Sequence, residues 1–374
     1  MSTTNSTNTA ALFKQFSVKS LTLKNKTVMA PMTRAFSPNN VPTTDVAAYY
    51  RRRAEGNVGL IITEGTFISH KAANGYENVP AIYGDDALAG WKHVVDDVHA
   101  AGGKIAPQLW HVGSVRKLGV GPDKDVPAYS PSGLFKPGAE NGVAMTQTDI
   151  DEVVASFAQA ALDAKNIGFD AIEVHGAHGY LVDQFFWQGT NQRDDKYGGS
   201  LENRTRFGVE IVQAIRAAVG EDFTIIFRFS QWKQQDYSAK LCQTPEELER
   251  FLSLLSDAGV DVFHASTRRF WVSEFEGSAL NLAGWTKKLT NKPVITVGNV
   301  GLDADFIGEG NKDLSGTSNP TGIDELLERL GNNEFDLVAI GRALLVDPDW
   351  VNKIAVNAIE EINPFTKKSL MSLS

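Results

Sequence analysis

The sequence predicts an α/β protein built as a (β/α)8 barrel, also called a TIM barrel. Short apolar runs typical of buried strands alternate with longer amphipathic runs typical of helices, and there are eight of the short runs. This alternation fits either a closed parallel barrel or an open, doubly wound sheet. The count of eight favours the barrel. So does the absence of a Gly-x-Gly-x-x-Gly segment after the first strand, which removes the main support for a dinucleotide-binding sheet.

The predicted elements form one domain, residues 11–374, after a tail at residues 1–10. The tail is a Ser/Thr/Asn run without the basic and apolar segments of a signal peptide, so we expect it to be disordered. Residues 12–23 precede the first strand and alternate loosely between apolar and polar, which indicates an N-terminal hairpin that closes the barrel floor. The strands are predicted at residues 27–30, 58–63, 104–109, 169–174, 224–229, 260–265, 294–297 and 337–340, and the helices at 45–55, 85–101, 148–166, 201–219, 245–258, 279–289, 322–330 and 349–357.

Two long segments interrupt this pattern. Residues 111–147 follow the third strand and are rich in Gly, Pro and Ser. A loop of that length in a compact domain is usually functional, and here it would lie on the face that carries the chemistry. A polar insertion at residues 308–321 follows the seventh strand.

Composition narrows the classes of partner. The net charge of −9 argues against nucleic acid or an anionic membrane as the main partner. Arg51-Arg52-Arg53 is therefore expected to be a solvated helix end. No apolar run approaches the ~20 residues that span a bilayer. Cys242 is the only cysteine, so no intrachain disulfide can form, and we expect an unreactive thiol in a cytoplasmic monomer or homodimer.

The chain is organised around residues 172–181. A buried-strand pattern runs directly into His175, His178 and Tyr180. Barrels carry their chemistry at the carboxyl ends of their strands, and both imidazoles can donate a hydrogen bond to one small acceptor. Two histidines at this spacing can also bind a metal or make structural hydrogen bonds, and Tyr180 can be an ordinary core tyrosine. On these residues alone, the alternatives stay open.

The other strand ends carry polar and aromatic side chains that would face the histidines. Glycines and an arginine after strands seven and eight suit a phosphate. The remaining donors and rings suit a flat heterocycle with carbonyl edges, and flavin mononucleotide (FMN) has both parts. Taken singly, Arg228 can be a salt-bridge partner, and the aromatic residues can simply pack. The strand-end set is Pro31, Met32, Thr33, Gly65, Gln108, Trp110, Arg228, Phe270, Trp271, Gly298, Asn299, Gly341 and Arg342.

Five segments together resemble the old yellow enzyme family of FMN-dependent ene-reductases. The resemblance runs in order over residues 12–350, and its most specific part is the His-x-x-His-Gly-Tyr-Leu segment with the Asp-Lys-Tyr-Gly-Gly-Ser run downstream. The five segments are Pro31-Met32-Thr33-Arg34, Gln108-Leu109-Trp110-His111, His175-Gly176-Ala177-His178-Gly179-Tyr180, residues 194–204, and Gly341-Arg342-Ala343-Leu344-Leu345.

The resemblance implies a non-covalent FMN and a role for each strand-end residue. Thr33 would bond the flavin O4 side, Gln108 the pyrimidine edge, and Arg228 the N1 and O2 edge, where reduced flavin carries negative charge. The remaining implied contacts are Pro31, Met32 and Gly65 beside the ring, and Gly298, Asn299, Gly341 and Arg342 at the phosphate.

The family reaction implied by the resemblance has two halves in one pocket. NADPH or NADH first reduces the flavin. An activated alkene then places its carbonyl or nitro oxygen on His175 and His178, receives a hydride from flavin N5 at its β-carbon, and receives a proton from Tyr180 at its α-carbon. Trp110 and Phe270 would form part of the substrate pocket.

The sequence departs from the family pattern in places, and three other functions remain to be weighed. Some members have Asn where His178 stands, one branch has Cys where Thr33 stands, and residues 268–276 have no close match to the best-known members. The rivals are a dihydroorotate-oxidising FMN barrel, which needs a catalytic Cys or Ser, a metal-dependent hydrolase, and a non-catalytic flavin-binding protein.

Overall fold

A computed structural model describes residues 9–304 and 317–374 and confirms the closed parallel barrel. Each strand pairs in parallel with the next, and the last pairs with the first. The strands are β1 (Thr27–Met29), β2 (Leu60–Phe67), β3 (Ile105–Trp110), β4 (Ala171–His178), β5 (Thr224–Lys233), β6 (Val262–Ser266), β7 (Val294–Val297) and β8 (Leu337–Ile340).

Helices surround the barrel, and the eight predicted helices are confirmed to within a few residues. Thr244 caps one of them by accepting a hydrogen bond from the backbone N–H of Glu247, with Pro245 in the first turn. Two short helices, α4 and α9, were not predicted. The helices are α1 (Thr44–Glu55), α2 (Asp85–Ala100), α3 (Gln147–Ile167), α4 (Leu181–Phe186), α5 (Leu201–Val219), α6 (Pro245–Ala258), α7 (Leu282–Thr290), α8 (Asp324–Gly331), α9 (Arg342–Val346) and α10 (Trp350–Ala355).

The predicted N-terminal hairpin is present and closes the barrel floor. Phe16–Val18 pairs antiparallel with Leu21–Leu23. Leu21 and Leu23 are buried in one cluster with the apolar residues of the barrel interior, so the hairpin covers the amino-terminal end of the strands. Residues 1–8 of the predicted tail lie outside the described residues, and Thr9–Ala11 form a turn of 3-10 helix.

The loop after β3 contains small pieces of regular structure. Tyr129–Ser130 pairs with Val143–Ala144, and Leu134–Lys136 pairs with Ala139–Glu140. Residues 308–316 of the predicted polar insertion lie outside the described residues. The other 3-10 turns among the described residues are Pro38–Asn40, Gly113–Val115, Ile359–Glu361 and Lys367–Met371.

The barrel interior changes from apolar to polar along the strand direction. Alternate strand residues point inward, and the layer next to the hairpin is made of residues such as Val28, Leu60 and Ile226. One step further along, the inward positions are polar and buried: Gln108, Glu173, Arg228 and His264. The outward positions pack against the helices in a separate, larger core. The polar layer therefore forms the floor of whatever lies at the carboxyl ends of the strands.

Three strands run four residues beyond their predicted ends, and one expected surface feature is wrong. Strands β2, β4 and β5 continue to Phe67, His178 and Lys233, so the two key histidines lie within a strand. The Arg51-Arg52-Arg53 run is not a solvated helix end throughout, because Arg53 is fully buried and donates to the carbonyls of Leu344 and Leu345.

No helix in the described part of the chain is long and apolar enough to cross a membrane.

Candidate active site

A cavity of about 460 Å³ opens at the carboxyl ends of the barrel strands. Most of the predicted strand-end residues line it, and Phe270 and Trp271 do not. Of the residues identified from the sequence, the following line it: Pro31, Met32, Thr33, Gly65, Gln108, Trp110, His175, His178, Tyr180, Arg228, Gly298, Asn299, Gly341 and Arg342.

Phe270 and Trp271 are the two exceptions, and neither lines this cavity. Trp271 is 37% exposed. Phe270, by contrast, lies inside the protein. Its side chain is buried in the hydrophobic core, and its backbone N–H donates to the carbonyl of Gly298 at 3.1 Å. A Cβ on Gly298 would lie 2.9 Å from that same nitrogen, and Gly298 has φ of 145°. Phe270 therefore shapes the turn after β7 and is corrected from a substrate contact to a structural residue.

An irregularity in β4 places both histidines in the cavity. Residues three apart in a regular strand point to opposite faces. The pairing of β4 with β5 shifts register between Gly176 and His178, as in a β-bulge, and His178 adopts the left-handed region with φ of 65°. The backbone N–H of His178 donates to the Ser230 hydroxyl at 3.0 Å. The two rings consequently stand perpendicular, with their centroids 5.2 Å apart.

Both imidazoles are neutral near pH 7. Burial, followed by the positive charge of Arg228, lowers the pKa of His175 and of His178 well below the ordinary histidine value. A neutral imidazole has one N–H to donate and one nitrogen to accept. The pair therefore offers uncharged hydrogen-bond donors.

Tyr180 is placed beside the histidines with its hydroxyl supported from two sides. Its ring centroid lies 5.0 Å from that of His175, and it packs edge-on against Trp110. Gln234 Nε2 donates to the Tyr180 hydroxyl oxygen at 3.0 Å, and the Tyr76 hydroxyl lies 3.5 Å away. Burial raises the pKa of Tyr180 well above its ordinary value, so the side chain keeps its proton and can serve as an acid.

The polar layer beneath the cavity orients Gln108. The amide nitrogen of Gln108 donates to one carboxyl oxygen of Glu173 at 2.8 Å, and the other oxygen of Glu173 lies 2.6 Å from His264 Nδ1. Because the amide nitrogen has this partner, its oxygen is left to accept. Arg228 lies in the same layer, where burial lowers its pKa and the nearby Glu173 raises it.

The turns after β7 and β8 meet at the other end of the cavity. Arg342 donates to the side-chain oxygen of Asn299 and to the carbonyl of Ala304 at 2.7 Å. A Cβ placed on Gly341 would meet nothing closer than the Met32 sulfur at 3.6 Å, so open space lies beside this backbone. A planar guanidinium next to exposed glycine backbone suits a phosphate group.

The cavity presents the groups that a phosphorylated heterocycle needs. The Gln108 amide oxygen can accept a hydrogen bond, because the amide nitrogen is bonded to Glu173. At the other end of the cavity, the Arg342 guanidinium lies beside the open backbone of Gly341. Arg228 adds a buried positive charge. The residues present therefore fit FMN.

Sequence reasoning missed several wall residues that follow Arg228 in the chain. Trp232, Gln234 and Tyr237 line the cavity, and the Trp232 ring lies over His178 with centroids 4.6 Å apart. A signal was present, because the inward alternation Arg228, Ser230, Trp232 continues past the predicted strand end at residue 229.

Leu370 also lines the cavity, and no local sequence pattern predicts it. The Lys367–Met371 turn is held against the barrel by Arg34, whose guanidinium donates to the carbonyl of Ser372 at 2.6 Å and to that of Ser369 at 3.2 Å. Contacts across more than 330 residues depend on the fold and are invisible to a local pattern.

A metal-binding interpretation of the two histidines has little support in the side chains around them. His178 Nε2 lies 2.8 Å from the Ser266 hydroxyl, and neither histidine belongs to a group of three or more His, Cys, Asp or Glu side chains within residues 9–304 and 317–374. Structural zinc sites need four such ligands and catalytic ones need three.

Comparisons with known proteins identify the family of the chain. A sequence model described as the NADH:flavin oxidoreductase / NADH oxidase family matches residues 11–361. The chain is 34% identical over 360 residues to the NADH oxidase of Thermoanaerobacter brockii, which covers 94% of this chain and 52% of that protein. The chain thus spans about half the length of that relative.

Two further similarities extend over most of both partners. The chain is 36% identical over 314 residues to the putative 12-oxophytodienoate reductase 11 of Oryza sativa subsp. japonica, covering 77% of this chain and 84% of that one. The solved structure of morphinone reductase in complex with tetrahydroNAD superimposes with a TM-score of 0.80 at 31% identity, covering 96% of this chain and 93% of the other.

Proposed function

Because the chain belongs to the NADH:flavin oxidoreductase / NADH oxidase family, as an FMN-dependent NAD(P)H oxidoreductase of the old yellow enzyme type, we propose that it reduces activated alkenes. The substrates are α,β-unsaturated carbonyl or nitro compounds. The reductant is NADPH or NADH.

The observation that carries this proposal is the grouping of two neutral imidazoles with one protonated tyrosine. The ring centroids of His178 and Tyr180 lie 5.2 Å and 5.0 Å, respectively, from that of His175. Two uncharged donors suit a carbonyl or nitro oxygen, which gains negative charge as the alkene is reduced. An acid on the same wall suits the proton that must follow.

The chain's own residues divide the work as follows. His175 and His178 hold the activating oxygen and draw electron density from the alkene, so that its β-carbon becomes electrophilic. Bound FMN supplies hydride transfer from NAD(P)H to that carbon. Tyr180 donates its phenolic proton to the α-carbon as a general acid. Gln234, which donates to the Tyr180 oxygen, stabilises the phenolate left behind.

Other residues hold the cofactor and set its electrostatics. Arg228 places a buried positive charge where negative charge develops, and Gln108 is oriented by Glu173 to accept from the heterocycle. Thr33, Pro31, Met32 and Gly65 border the ring side of the cavity. The set that would hold the phosphate is Gly298, Asn299, Gly341 and Arg342.

The reductant and the substrate use this same cavity in turn, which predicts ping-pong kinetics. Trp110 forms the wall for both. We also place the protein in the cytoplasm, since its single cysteine makes it independent of an oxidising compartment.

The rival FMN chemistry is disfavoured by the surroundings of the thiol. A dihydroorotate-type oxidation needs a Cys or Ser base facing the flavin. Cys242 is buried away from the cavity lining, and burial raises its pKa to about 12. The hydrolase interpretation lacks a set of metal ligands among residues 9–304 and 317–374.

Isotope labelling tests the proposed function directly. The FMN-loaded protein is supplied with nicotinamide cofactor deuterated at C4 and with 2-cyclohexenone, and the product is analysed by NMR. We expect deuterium from the cofactor at the β-carbon. In a parallel reaction in deuterated water, we expect solvent deuterium at the α-carbon.

Two outcomes would contradict the proposal. The first is a flavin-loaded protein that oxidises the nicotinamide but leaves enones and nitroalkenes unchanged. The second is deuterium from the cofactor at the α-carbon, since the proposal delivers the hydride to the β-carbon.

A further inference from the structure

Ser266 lies at the end of β6 and is buried behind His178. Its hydroxyl oxygen is 2.8 Å from His178 Nε2 and 3.3 Å from Arg228 Nη2. The Ser266 backbone carbonyl accepts separately from the Trp232 indole at 3.2 Å. One hydroxyl thus stands between a cation and a histidine of the proposed substrate site.

The direction of these hydrogen bonds follows from what each group can do. A guanidinium can only donate, so Ser266 Oγ accepts from Arg228. The hydroxyl has one proton, and among the described residues its one acceptor within reach is His178 Nε2. Reversing the second bond would leave the buried hydroxyl proton without an acceptor, at a cost of about 1–3 kcal/mol.

The direction of the hydrogen bond from Ser266 determines which ring nitrogen of His178 carries the proton. His178 is neutral and carries one ring proton, so a ring whose Nε2 accepts must carry that proton on Nδ1. Within residues 9–304 and 317–374, His178 Nδ1 has no hydrogen-bond partner. His178 lines the cavity, and its Nδ1 is not one of the buried atoms without a partner, so this nitrogen is accessible. The Trp232 ring lies over the imidazole and limits its rotation.

We propose that Ser266 is a positioning residue that holds His178 as the Nδ1–H tautomer, so that this N–H donates to the substrate oxygen. The inference rests on the proposed function for the identity of that oxygen. It narrows the substrate class to compounds that present an acceptor at this point, such as a carbonyl, a nitro group or a phenolate. The opposite tautomer would present a lone pair to the substrate oxygen and repel it.

The tautomer can be observed directly in the FMN-loaded protein. The seven histidines are labelled with 15N in the ring, and long-range 1H–15N correlations distinguish a protonated ring nitrogen from a bare one. The signals of His178 are assigned from their loss in His178→Asn. We expect a protonated Nδ1 and a bare Nε2 in the unaltered protein. A protonated Nε2 would overturn the proposal even if every variant failed to fold.

Three serine variants separate a role in the tautomer from a role in packing. Ser266→Ala should give a mixture of the two tautomers, and Ser266→Thr, which keeps a hydroxyl, should restore Nδ1–H. Ser230→Ala is the matched control, because Ser230 bonds the backbone of His178 and not its ring. A pure Nδ1–H signal in Ser266→Ala would show that the hydroxyl does not set the tautomer.

Ligand binding provides the second readout. The charge-transfer absorbance of a para-substituted phenol measures its dissociation constant, which we expect to rise about tenfold in Ser266→Ala, or ~1.4 kcal/mol, and to recover in Ser266→Thr. An unchanged constant in Ser266→Ala would count against the proposal. Failure of the proposed function is distinguishable, since it would appear as absence of enone turnover in the unaltered protein, whatever its tautomer.

Discussion

For individual residues of the site, burial sets the protonation state of the side chain. It lowers the pKa of His175 and His178 and raises that of Tyr180, and all three shifts favour the neutral form. The site therefore offers the same donors and the same acid across the neutral pH range. Arg228, which lies in the polar layer beneath them, is buried and carries a positive charge.

Replacing Tyr180 tests the proton donor. Tyr180→Phe should leave reduction of the flavin by NADPH unchanged and slow enone reduction by about 10²-fold or more, because general acid catalysis typically contributes that much. Stopped-flow absorbance measures the two half-reactions separately. Tyr237→Phe is the control, since it removes a hydroxyl from the same wall without touching Tyr180. Equal enone rates in Tyr180→Phe and the unaltered protein would reject the role.

Glu64, which precedes Gly65 in β2, predicts a dependence of stability on pH. Its Oε2 accepts from the backbone N–H groups of Arg34 at 2.8 Å and Ala35 at 3.0 Å. Burial raises its pKa from 4.5 to about 7. The folded state then binds this proton more tightly than the unfolded state. The stabilisation is complete below the unfolded pKa and is lost as pH rises through about 7.

Glu64→Gln removes this titration. Urea unfolding at pH 5 and at pH 8 gives the free energy of unfolding of the variant and of the unaltered protein. We expect the value for the variant minus that for the unaltered protein to be larger at pH 8 than at pH 5. A difference that stays constant with pH would mean that Glu64 titrates normally.

Among the secondary-structure elements, a buried ion pair holds the segment that joins strand β4 to helix α4. Lys233, at the end of β5, donates to Asp183 at 2.6 Å, and both side chains are fully buried. The other oxygen of Asp183 accepts from the backbone N–H of Gly179 at 2.7 Å. The pair thus fixes the backbone between His178 and Tyr180, and it connects the two strands that supply the catalytic wall.

Removing one partner of this pair should destabilise the protein strongly. Asp183→Ala leaves the Lys233 charge buried without compensation, which typically costs about 3–5 kcal/mol. Asp96→Ala is the control, since Asp96 pairs with Lys92 on the surface, where such pairs contribute about 0–1 kcal/mol. Chemical denaturation measures both. A loss below about 1 kcal/mol for Asp183→Ala would show that the pair is not needed.

The position of Arg342 directly after β8 predicts that this residue contributes to the binding of FMN. Arg342→Ala should raise the dissociation constant of FMN about tenfold to a hundredfold, because a charge-assisted hydrogen bond contributes about 1.5–3 kcal/mol. Fluorescence titration of the stripped protein measures the constant. Arg329→Ala is the matched control, since Arg329 lies on α8, pairs with Glu325 and Glu334, and does not line the cavity. Equal constants for the two variants would remove Arg342 from the phosphate site.

The same elements show how far the sequence alone can lead. Strand and helix positions follow from local periodicity, and this is why the barrel and its strand-end residues were predictable. The bulge in β4 is not a local pattern, because it depends on the pairing with β5. Ser266 and Glu173 read as ordinary strand residues until the barrel closes and places them beside His178 and Gln108.

In the molecule as a whole, the two ends of the barrel have different roles. The N-terminal hairpin and the apolar layer next to it close the amino-terminal end of the barrel. The polar layer and the cavity occupy the opposite end. The family match explains why this division was recognisable from the sequence. The burial of Arg53 and the placement of Leu370 were not recognisable, since they depend on contacts with the last residues of the chain.

The most direct measurement of the central claim is a visible spectrum recorded without oxygen. The purified protein, loaded with FMN, is mixed first with NADPH and then with 2-cyclohexenone. We predict flavin absorbance that bleaches with NADPH and returns with the enone, which would establish the cofactor, the reductant and the electron acceptor in one experiment. Protein that remains colourless after FMN is added and the excess is removed would contradict the account at its root.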